Sequence, residues 1–328
     1  RWKNKDKGNR AKDFIEKAPI GATIPLTGGQ QRLFFLESLY PKNPVYNSSE
    51  IYKFRGQLVI EDLQKSLQAI YDLNDVFKCS FHFMDGIPFQ RVGNSVALDL
   101  IHYDLSDLLA SEKDSRLEEI MSSDALKPFD LQSPPLIRTT LIKVDFNIHI
   151  LFITMHHIIV DKWSMGLFRE QLAKYYINPP TANEIRDIQS GIQFIDYAYW
   201  EQGRSIDKNQ LEYWKNKLSG DIPKLELPTD YPQPAHPSFK GDSNVQLLSK
   251  PLSNKIIELS KKAECTPFIL LLSAYYVLLF RYSRQNDIVI GSPISIRNSK
   301  ILQNVIGFFD ETIVLRTDFL TSISFLEL

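Results

Sequence analysis

Met155-His156-His157-Ile158-Ile159-Val160-Asp161-Lys162-Trp163-Ser164 carries the strongest structural signal in the chain. It follows an apolar run, Ile148 to Thr154, rich in β-branched and aromatic residues, which reads as a buried strand ending where the histidines begin. Beyond it Met165, Leu167, Phe168 and Leu172 recur at helical spacing, with Ser164 as the expected N-cap. Two imidazoles and a carboxylate therefore stand at a strand-to-helix junction, where regular structure holds the backbone on both sides and the side chains are free to face a cleft. A neutral imidazole takes a proton from an amine or hydroxyl at physiological pH, so either histidine suits a general base. Asp161, four residues after His157, either orients an imidazole or, pointing away, needs a cation to offset its burial. The competing reading of any one histidine at a strand end is a satisfied core or surface residue. Zinc is disfavoured, because adjacent histidines alternate faces on a strand and the sequence holds neither a cysteine cluster nor a His-Glu-x-x-His helix.

The chain has 328 residues, 43% hydrophobic and 23% charged, which describes a globular protein long enough for two cores and hence two lobes. Its 38 basic and 39 acidic residues nearly cancel, so no global field draws it to nucleic acid or membrane. Cys79 and Cys265 are too few for a disulfide framework and fit a reducing compartment, both thiols being structural. No apolar run is long enough to span a bilayer and the polar, charged N-terminus is no signal peptide, so a cytoplasmic location is expected.

Residues 1–22, with Lys3, Lys5, Lys7, Arg10 and Lys12, read as a solvated linker or tail with a short helix near Phe14. Residues 23–180 read as a first α/β lobe. Pro25 to Leu36 runs from a polar turn into a helix with apolar Leu33, Phe34, Leu36 and Leu39, and Ile51 to Leu58 reads as a strand. Leu63, Leu67, Ile70 and Tyr71 mark an amphipathic helix, and Phe77 to Phe83 and Phe89 to Val92 are strands joined by an Asp85-Gly86 hairpin turn. A helix at Arg116–Met121, a loop at Pro128–Pro135 and a strand at Ile137–Val144 precede the central strand. Pro179-Pro180-Thr181 ends the next helix and opens a linker over 181–238, with helices at Phe194–Trp200 and Leu211–Leu218 and a proline-rich exit at Pro228, Pro232, Pro234 and Pro237. Residues 239–328 read as a partial second lobe: a strand at Asn244–Leu248, helices at Ile256–Lys262 and Pro267–Tyr282, and a strand at Asp287–Ile290. There is no internal repeat.

His156-His157-Ile-Ile-Val-Asp161, followed by Trp163-Ser164, resembles the His-His-x-x-x-Asp-Gly signature of condensation domains from nonribosomal peptide synthetases, members of the chloramphenicol-acetyltransferase-like superfamily. Pro25 to Leu36, with Gln31, Arg32 and Leu33 in register, is similar to that family's first motif. Asp196, Tyr197 and Trp200 resemble its fourth, and Ile306-Gly307-Phe308-Phe309 with Thr312 and Arg316 its fifth. The order of these motifs over nearly the whole chain is far more specific than a lone His-x-x-x-Asp. The resemblance implies an α/β sandwich of two acetyltransferase-like lobes in a V. A tunnel there admits the phosphopantetheine arms of a donor and an acceptor carrier protein, with no cofactor bound by the domain itself. It further implies an acyltransferase that forms an amide when the α-amine of the acceptor aminoacyl thioester attacks the donor thioester, both reactants arriving tethered and activated. His157 then lies at the centre, as a base or as the group that holds the amine and stabilises the tetrahedral intermediate. His156 is structural, Asp161 is an ion-pair partner for Arg297, and Trp163 and Ser164 support the turn. Lys162, Gly166, Gly307, Asp310, Glu311 and Thr312 are the channel-lining candidates. A neighbouring adenylation domain and a monomeric place within a multidomain synthetase for antibiotic or other secondary-metabolite production are also implied.

This sequence departs from the family pattern at Lys162, where glycine is usual. It departs again at Leu73 to Phe81, where an Arg-His-Glu-x-Leu-Arg-Thr pattern is expected and Lys78 replaces its second arginine, and at Asp310-Glu311, where Val-Asn is typical. The flanking residues, Gln30 to Asn47 and Trp163 to Gly166, look most like the subtype joining an L donor to an L acceptor. Heterocyclisation domains carry aspartate in place of the histidines, and epimerisation domains differ after Asp161. Two other functions stay open: an acyltransferase or ester-forming enzyme with a soluble acceptor, and a non-catalytic module that recruits another protein. The sequence stops at Phe325-Leu326-Glu327-Leu328, which looks like the start of another helix, so the second lobe is expected to be truncated, and these 328 residues alone to be poorly soluble or inactive.

Overall fold

The computed structural model describes residues 15–232, 234, 237–319 and 324–326 of the chain. Its contacts divide it into two units, Arg1–Ser205 with Ile294–Glu311, and Ile206–Pro293 with Thr312–Leu328. In chain order the elements of the first unit are β1 (Ile24–Pro25), α1 (Gly28–Leu39), β2 (Asn47–Arg55), α2 (Ile60–Leu73), β3 (Cys79–Met84), β4 (Ile87–Val92), β5 (Leu100–Asp104), α3 (Ala110–Ala125), β6 (Ile137–Asp145), β7 (Ile148–His156), α4 (Lys162–Ile177), α5 (Ala182–Ser190) and α6 (Phe194–Gln202). Then follow α7 (Lys208–Lys217), α8 (Lys250–Lys262), α9 (Pro267–Ser283), β8 (Asp287–Ser295) and β9 (Asp310–Asp318).

The site-bearing sheet runs β2-β7-β6-β5, with β7 antiparallel to β2 and β6 and β5 parallel to β6. Because β7 is interior and covered on both faces, its middle, Ile150 to Ile153, is apolar at every position rather than alternating. Its side chains still alternate: Leu151, Ile153 and Met155 join the large core with Leu63, Leu67 and Ile70 of α2 and Phe168 and Leu172 of α4, whereas Ile150 packs with Ile142, Leu105 and Ile120 of α3. The edge strand β2 shows the period-2 exposure of a half-covered strand. In the smaller sheet, β1-β4-β3, Asp85 (φ 52°) and Gly86 (φ 78°) form the expected tight hairpin, both in the left-handed region.

The second unit, taken by itself, pairs β8 with β9, and Tyr276 and Leu279 of α9 pack on Ile288 and Phe319. Arg316 clamps it, forking onto Asp287 (2.9 and 3.0 Å from Nε) and donating to the carbonyls of Lys217, Ser219 and Asp221. The backbone leading from α7 toward the proline-rich run is thereby tied to β9.

The structure differs from the sequence reading in several places. Of residues 1–22, those described are not a free tail: Ile15 is buried in the core, the Ala18 amide donates to Asp196, and Lys17 pairs with Asp196 at 3.3 Å. Phe14 and the helix expected there lie outside the described residues. The 181–238 stretch is not one linker, since α5 and α6 belong to the first unit, and 294–311 belongs there too rather than with a second lobe. Residues 244–248 form no strand. Val245 and Leu247 alternate with polar neighbours as a strand would, but no partner strand lies beside them among the described residues and both are exposed. β5 escaped the sequence reading because only Leu100 of its five residues is buried and its exposed residues mix apolar Ile101 and Tyr103 with polar His102 and Asp104. Phe325 and Leu326 lie in a turn, and 327–328 are outside the described residues. Among the described residues no single helix is long and apolar enough to cross a membrane.

Candidate active site

The last residue of β7 is His156, whose amide donates to the Leu136 carbonyl at 3.0 Å, while the His157 amide donates to the Tyr46 carbonyl at 2.8 Å. Adjacent side chains on a strand end leave in opposite directions, and the two histidines do so. His156 is buried between the rings of Tyr46 and Phe129, each centroid 6.3 Å away. Its Nδ1 accepts the Ile158 amide at 3.1 Å, so the proton of the neutral ring is on Nε2, which is buried without a partner among the described residues. Burial, and then the charge of His157, push its pKa down to about 3, so it stays neutral. His157 is half-buried, edge-on to Phe308 with centroids 5.0 Å apart. Its Nδ1 is 2.6 Å from the Val160 carbonyl, which only accepts. The Nδ1 proton is therefore fixed, and the lone pair of the neutral ring is on Nε2. A hydrogen-bonded turn from His156 to Val160 carries both rings.

Asp161, not Ser164, is the N-cap of α4: its Oδ1 accepts the Ser164 amide at 2.6 Å. The sequence offered two capping residues three apart, and the more N-terminal one has the extended backbone of a cap, with φ −113° and ψ 178°. The Asp161 carboxylate, with no side-chain exposure, also accepts Phe309 N–H at 3.0 Å and meets Arg297 Nη2 at 3.1 Å from both oxygens. Arg297 is committed to this corner through its two terminal nitrogens, its Nε being buried without a partner among the described residues. It donates through Nη1 to the carbonyls of Leu302 and Val305, donates through Nη2 to Ser164 Oγ at 2.6 Å, and lies over the Phe309 ring, 4.1 Å from its centroid. Burial lowers the pKa of its guanidinium, and the Asp161 charge opposes that. Ser164 Oγ in turn donates to Gly307 O (2.7 Å) and accepts Gly307 N–H (2.9 Å). One buried ion pair and one hydroxyl thus staple residues 297–309 onto the first turn of α4, behind the histidine turn.

Gly307 has no alternative there. A Cβ would come within 2.1 Å of Phe194 Cδ2, and Phe194 is fully buried against Phe309 and Tyr197. Gly307→Ala is expected to destabilise the domain by about 1–3 kcal/mol, read as a lowered midpoint in urea, and Phe194→Leu in the same chain to recover part of it. A Gly307→Ala domain as stable as its parent contradicts this packing.

The remaining residues singled out by sequence fall differently. Trp163 is half-exposed, its Nε1 donating to Gln303 O at 2.8 Å. Lys162 turns away from the histidines and pairs with Glu50 of β2 at 2.8 Å, its side chain 90% exposed. Lys162→Gly is accordingly expected to change stability by no more than about 1 kcal/mol in a thermal melt, as the Lys162 end of the pair is exposed and Glu50 keeps the hydrogen bond from the Tyr52 hydroxyl. Around Gly166 a Cβ would meet open space, so sterics do not require glycine there. Glu311 pairs with Arg32 of α1 at 2.6 Å. Asp310 is half-buried, and burial and Asp161 raise its pKa above the usual carboxylate range, with His157 and Arg297 opposing. Thr312 belongs to the second unit, its methyl 3.3 Å from where a Cβ on Gly291 would lie.

Sequence reasoning missed Gln30. It reads as the third residue of a capping box with Thr27, which it is, yet its buried amide also donates to the Ile158 carbonyl at 3.2 Å and interlocks with Gln90, which holds the Pro25 carbonyl. The histidine turn is thus held from α1 as well as from β2. A glutamine where a cap alone was needed, in a helix with an otherwise apolar inner face, is the one signal that was there. Among the described residues no group of three or more His, Cys, Asp or Glu is placed to hold a metal ion.

The family model for the condensation domain matches residues 20–328. The chain belongs to the condensation-domain family. This condensation domain is 33% identical over 309 residues to bacitracin synthase 2 of Bacillus licheniformis, a match that covers 93% of the chain but 11% of that protein. Its fold is similar to that of a holo four-domain nonribosomal peptide synthetase bound to AMP and glycine (TM-score 0.79, 28% identity, 91% of this chain and 22% of the other). It is also similar to the X-domain from teicoplanin biosynthesis (TM-score 0.81, 25% identity, 96% and 70%). The condensation domain spans a small part, 4 to 11%, of the length of the curated synthetases it matches from Brevibacillus parabrevis and Bacillus licheniformis.

Proposed function

We propose that this condensation domain joins an upstream aminoacyl or peptidyl thioester to the α-amine of a downstream aminoacyl thioester, each carried on the phosphopantetheine arm of a carrier protein. The observation that carries this reading is the pinned His157 ring, with Nδ1–H donated to Val160 O and no partner on Nε2 among the described residues. Nε2 accepts an N–H of the incoming amine, which holds the nucleophile and takes its proton. The amine nitrogen bonds to the thioester carbonyl carbon, the C–S bond breaks, and the donor sulfur leaves as a thiol after taking up the proton that His157 held. No acyl-enzyme is required, since both reactants are tethered and the rate comes largely from positioning. His156, neutral and wedged between rings, positions the turn, and the Asp161–Arg297 pair supports it without touching the chemistry. Trp163, Ser164 and Gly307 hold the same corner, and Gly166, Asp310 and Glu311 are the channel-lining candidates of the first unit, whereas Lys162 is turned out onto Glu50.

In this reading both amino acids are L-configured, the domain is a monomeric segment of a cytoplasmic multidomain synthetase beside an adenylation domain, and it binds no cofactor of its own. The test is a donor-loaded and an acceptor-loaded carrier incubated with the synthetase segment containing the domain, the acceptor arm being read by mass spectrometry. An L,L-dipeptidyl acceptor arm is the expected product. Transfer to a free amine or alcohol with no acceptor carrier points instead to an enzyme with a soluble acceptor, and partner binding without any transfer to a recruitment module.

A further inference from the structure

Among the described residues, the carboxylates around His157 include one, Asp310, that has no ion-pair partner. Asp161 is neutralised by Arg297, Glu311 by Arg32 at 2.6 Å, and Glu50 by Lys162 at 2.8 Å, while His156 is neutral. Asp310 is half-buried, and among the described residues its side chain has neither an ion pair nor a hydrogen bond. Its backbone is fixed from two sides. Phe309, before it, donates to Asp161, and its own carbonyl lies 2.9 Å from where a Cβ on Gly29 of α1 would stand. Two residues upstream, the Phe308 ring lies against His157. The charged groups that act on Asp310 are Asp161, His157 and Arg297; Asp161 and Arg297 are paired with each other at 3.1 Å, which leaves His157 as the unpaired member of that set.

Resting on the amide-forming reading above, we propose that Asp310 balances the positive charge that develops on the attacking nitrogen and makes this site favour an amine acceptor over a hydroxyl one. When an amine adds to a thioester carbonyl, nitrogen takes a fourth bond and is cationic until its proton reaches His157, which is then cationic itself. A carboxylate held nearby stabilises both stages in a partly desolvated site, where Coulomb energies exceed those in water. A hydroxyl gives up its proton as it attacks, so the nucleophile atom never carries a lasting charge and only the imidazolium is stabilised. The sequence pattern fits: Glu311, the other acid of the pair Asp310-Glu311, is already matched by Arg32.

The experiment compares acceptor carriers loaded with an α-amino acid and with its α-hydroxy analogue, under single-turnover conditions, for wild type, Asp310→Asn and Asp310→Glu. Asp310→Asn is expected to slow the amine reaction about tenfold and the hydroxyl reaction about twofold, so the amine-to-hydroxyl ratio falls about fivefold, whereas Asp310→Glu keeps the wild-type ratio. If Asp310→Asn does not fold, Asp310→Gln against Asp310→Glu gives the same comparison at equal side-chain length. An unchanged ratio with an active wild type overturns the role of Asp310 alone. A wild type that makes no amide overturns the reading on which it rests, and that control is scored first.

Discussion

Replacement of His157 by alanine is expected to slow amide formation between two loaded carriers by about 10²–10⁴-fold, the range for loss of a general base, while the domain stays folded. The two halves of that expectation have separate causes. The loss follows from Nε2, the only atom of the ring with a free lone pair, since Nδ1 is tied to Val160. The survival follows from what the turn keeps without the ring: the His157 amide on Tyr46, the Ile158 carbonyl on Gln30, and the Asp161 cap. Losing one side-chain hydrogen bond and an edge contact with Phe308 costs about 1–2 kcal/mol. Single-turnover transfer alongside a urea titration separates the two. Transfer within a factor of about two of wild type in the alanine variant sinks the role given to His157, whereas a cooperative unfolding midpoint lost altogether means that the ring is structural.

Arg297→Met is expected to have the largest effect on stability, about 3–5 kcal/mol, because it leaves the fully buried Asp161 carboxylate without its cation. It also frees the carbonyls of Leu302 and Val305 and one bond to Ser164, so residues 302–309 are left with the Ser164–Gly307, Asp161–Phe309 and Trp163–Gln303 bonds as their ties to α4 and its cap. Activity is expected to disappear with the fold rather than through the chemistry, which a matched His157→Ala domain makes visible: one inactive and stable, the other inactive and unstable. Arg297→Lys restores a charge but not the fork that reaches two carbonyls, a carboxylate and a hydroxyl, so it recovers only part of the loss. Equal midpoints for Arg297→Met and wild type in chemical denaturation remove the ion pair from any account of this corner.

These two outcomes separate residues that the motif presents as one block. Local sequence was enough to place β7 and α4, because an interior strand covered on both faces is apolar at successive positions, as at Ile150 to Ile153, and a helix against a core is apolar at helical spacing. It was enough to divide the histidines, because neighbouring side chains on a strand end point to opposite sides. It was not enough at Asn244–Leu248, where an alternating pattern found no partner strand among the described residues, nor at β5, where only Leu100 is buried. Strand pairing is a property of two segments, and neither segment records it alone.

Within the histidine stretch, then, the strand, the turn, the helix and the divergence of the two imidazoles are all written in local sequence. The folded chain added the rest: that Asp161 caps α4 and binds Arg297 from 136 residues away, that Gln30 grips the Ile158 carbonyl, that Lys162 lies outward on Glu50, and that Asp310 has no ion-pair partner among the described residues. The physical reason is the range of the forces. Periodicity and capping act over a turn or two of chain, whereas a buried charge is satisfied by whichever group the folded backbone brings to it, however distant in sequence.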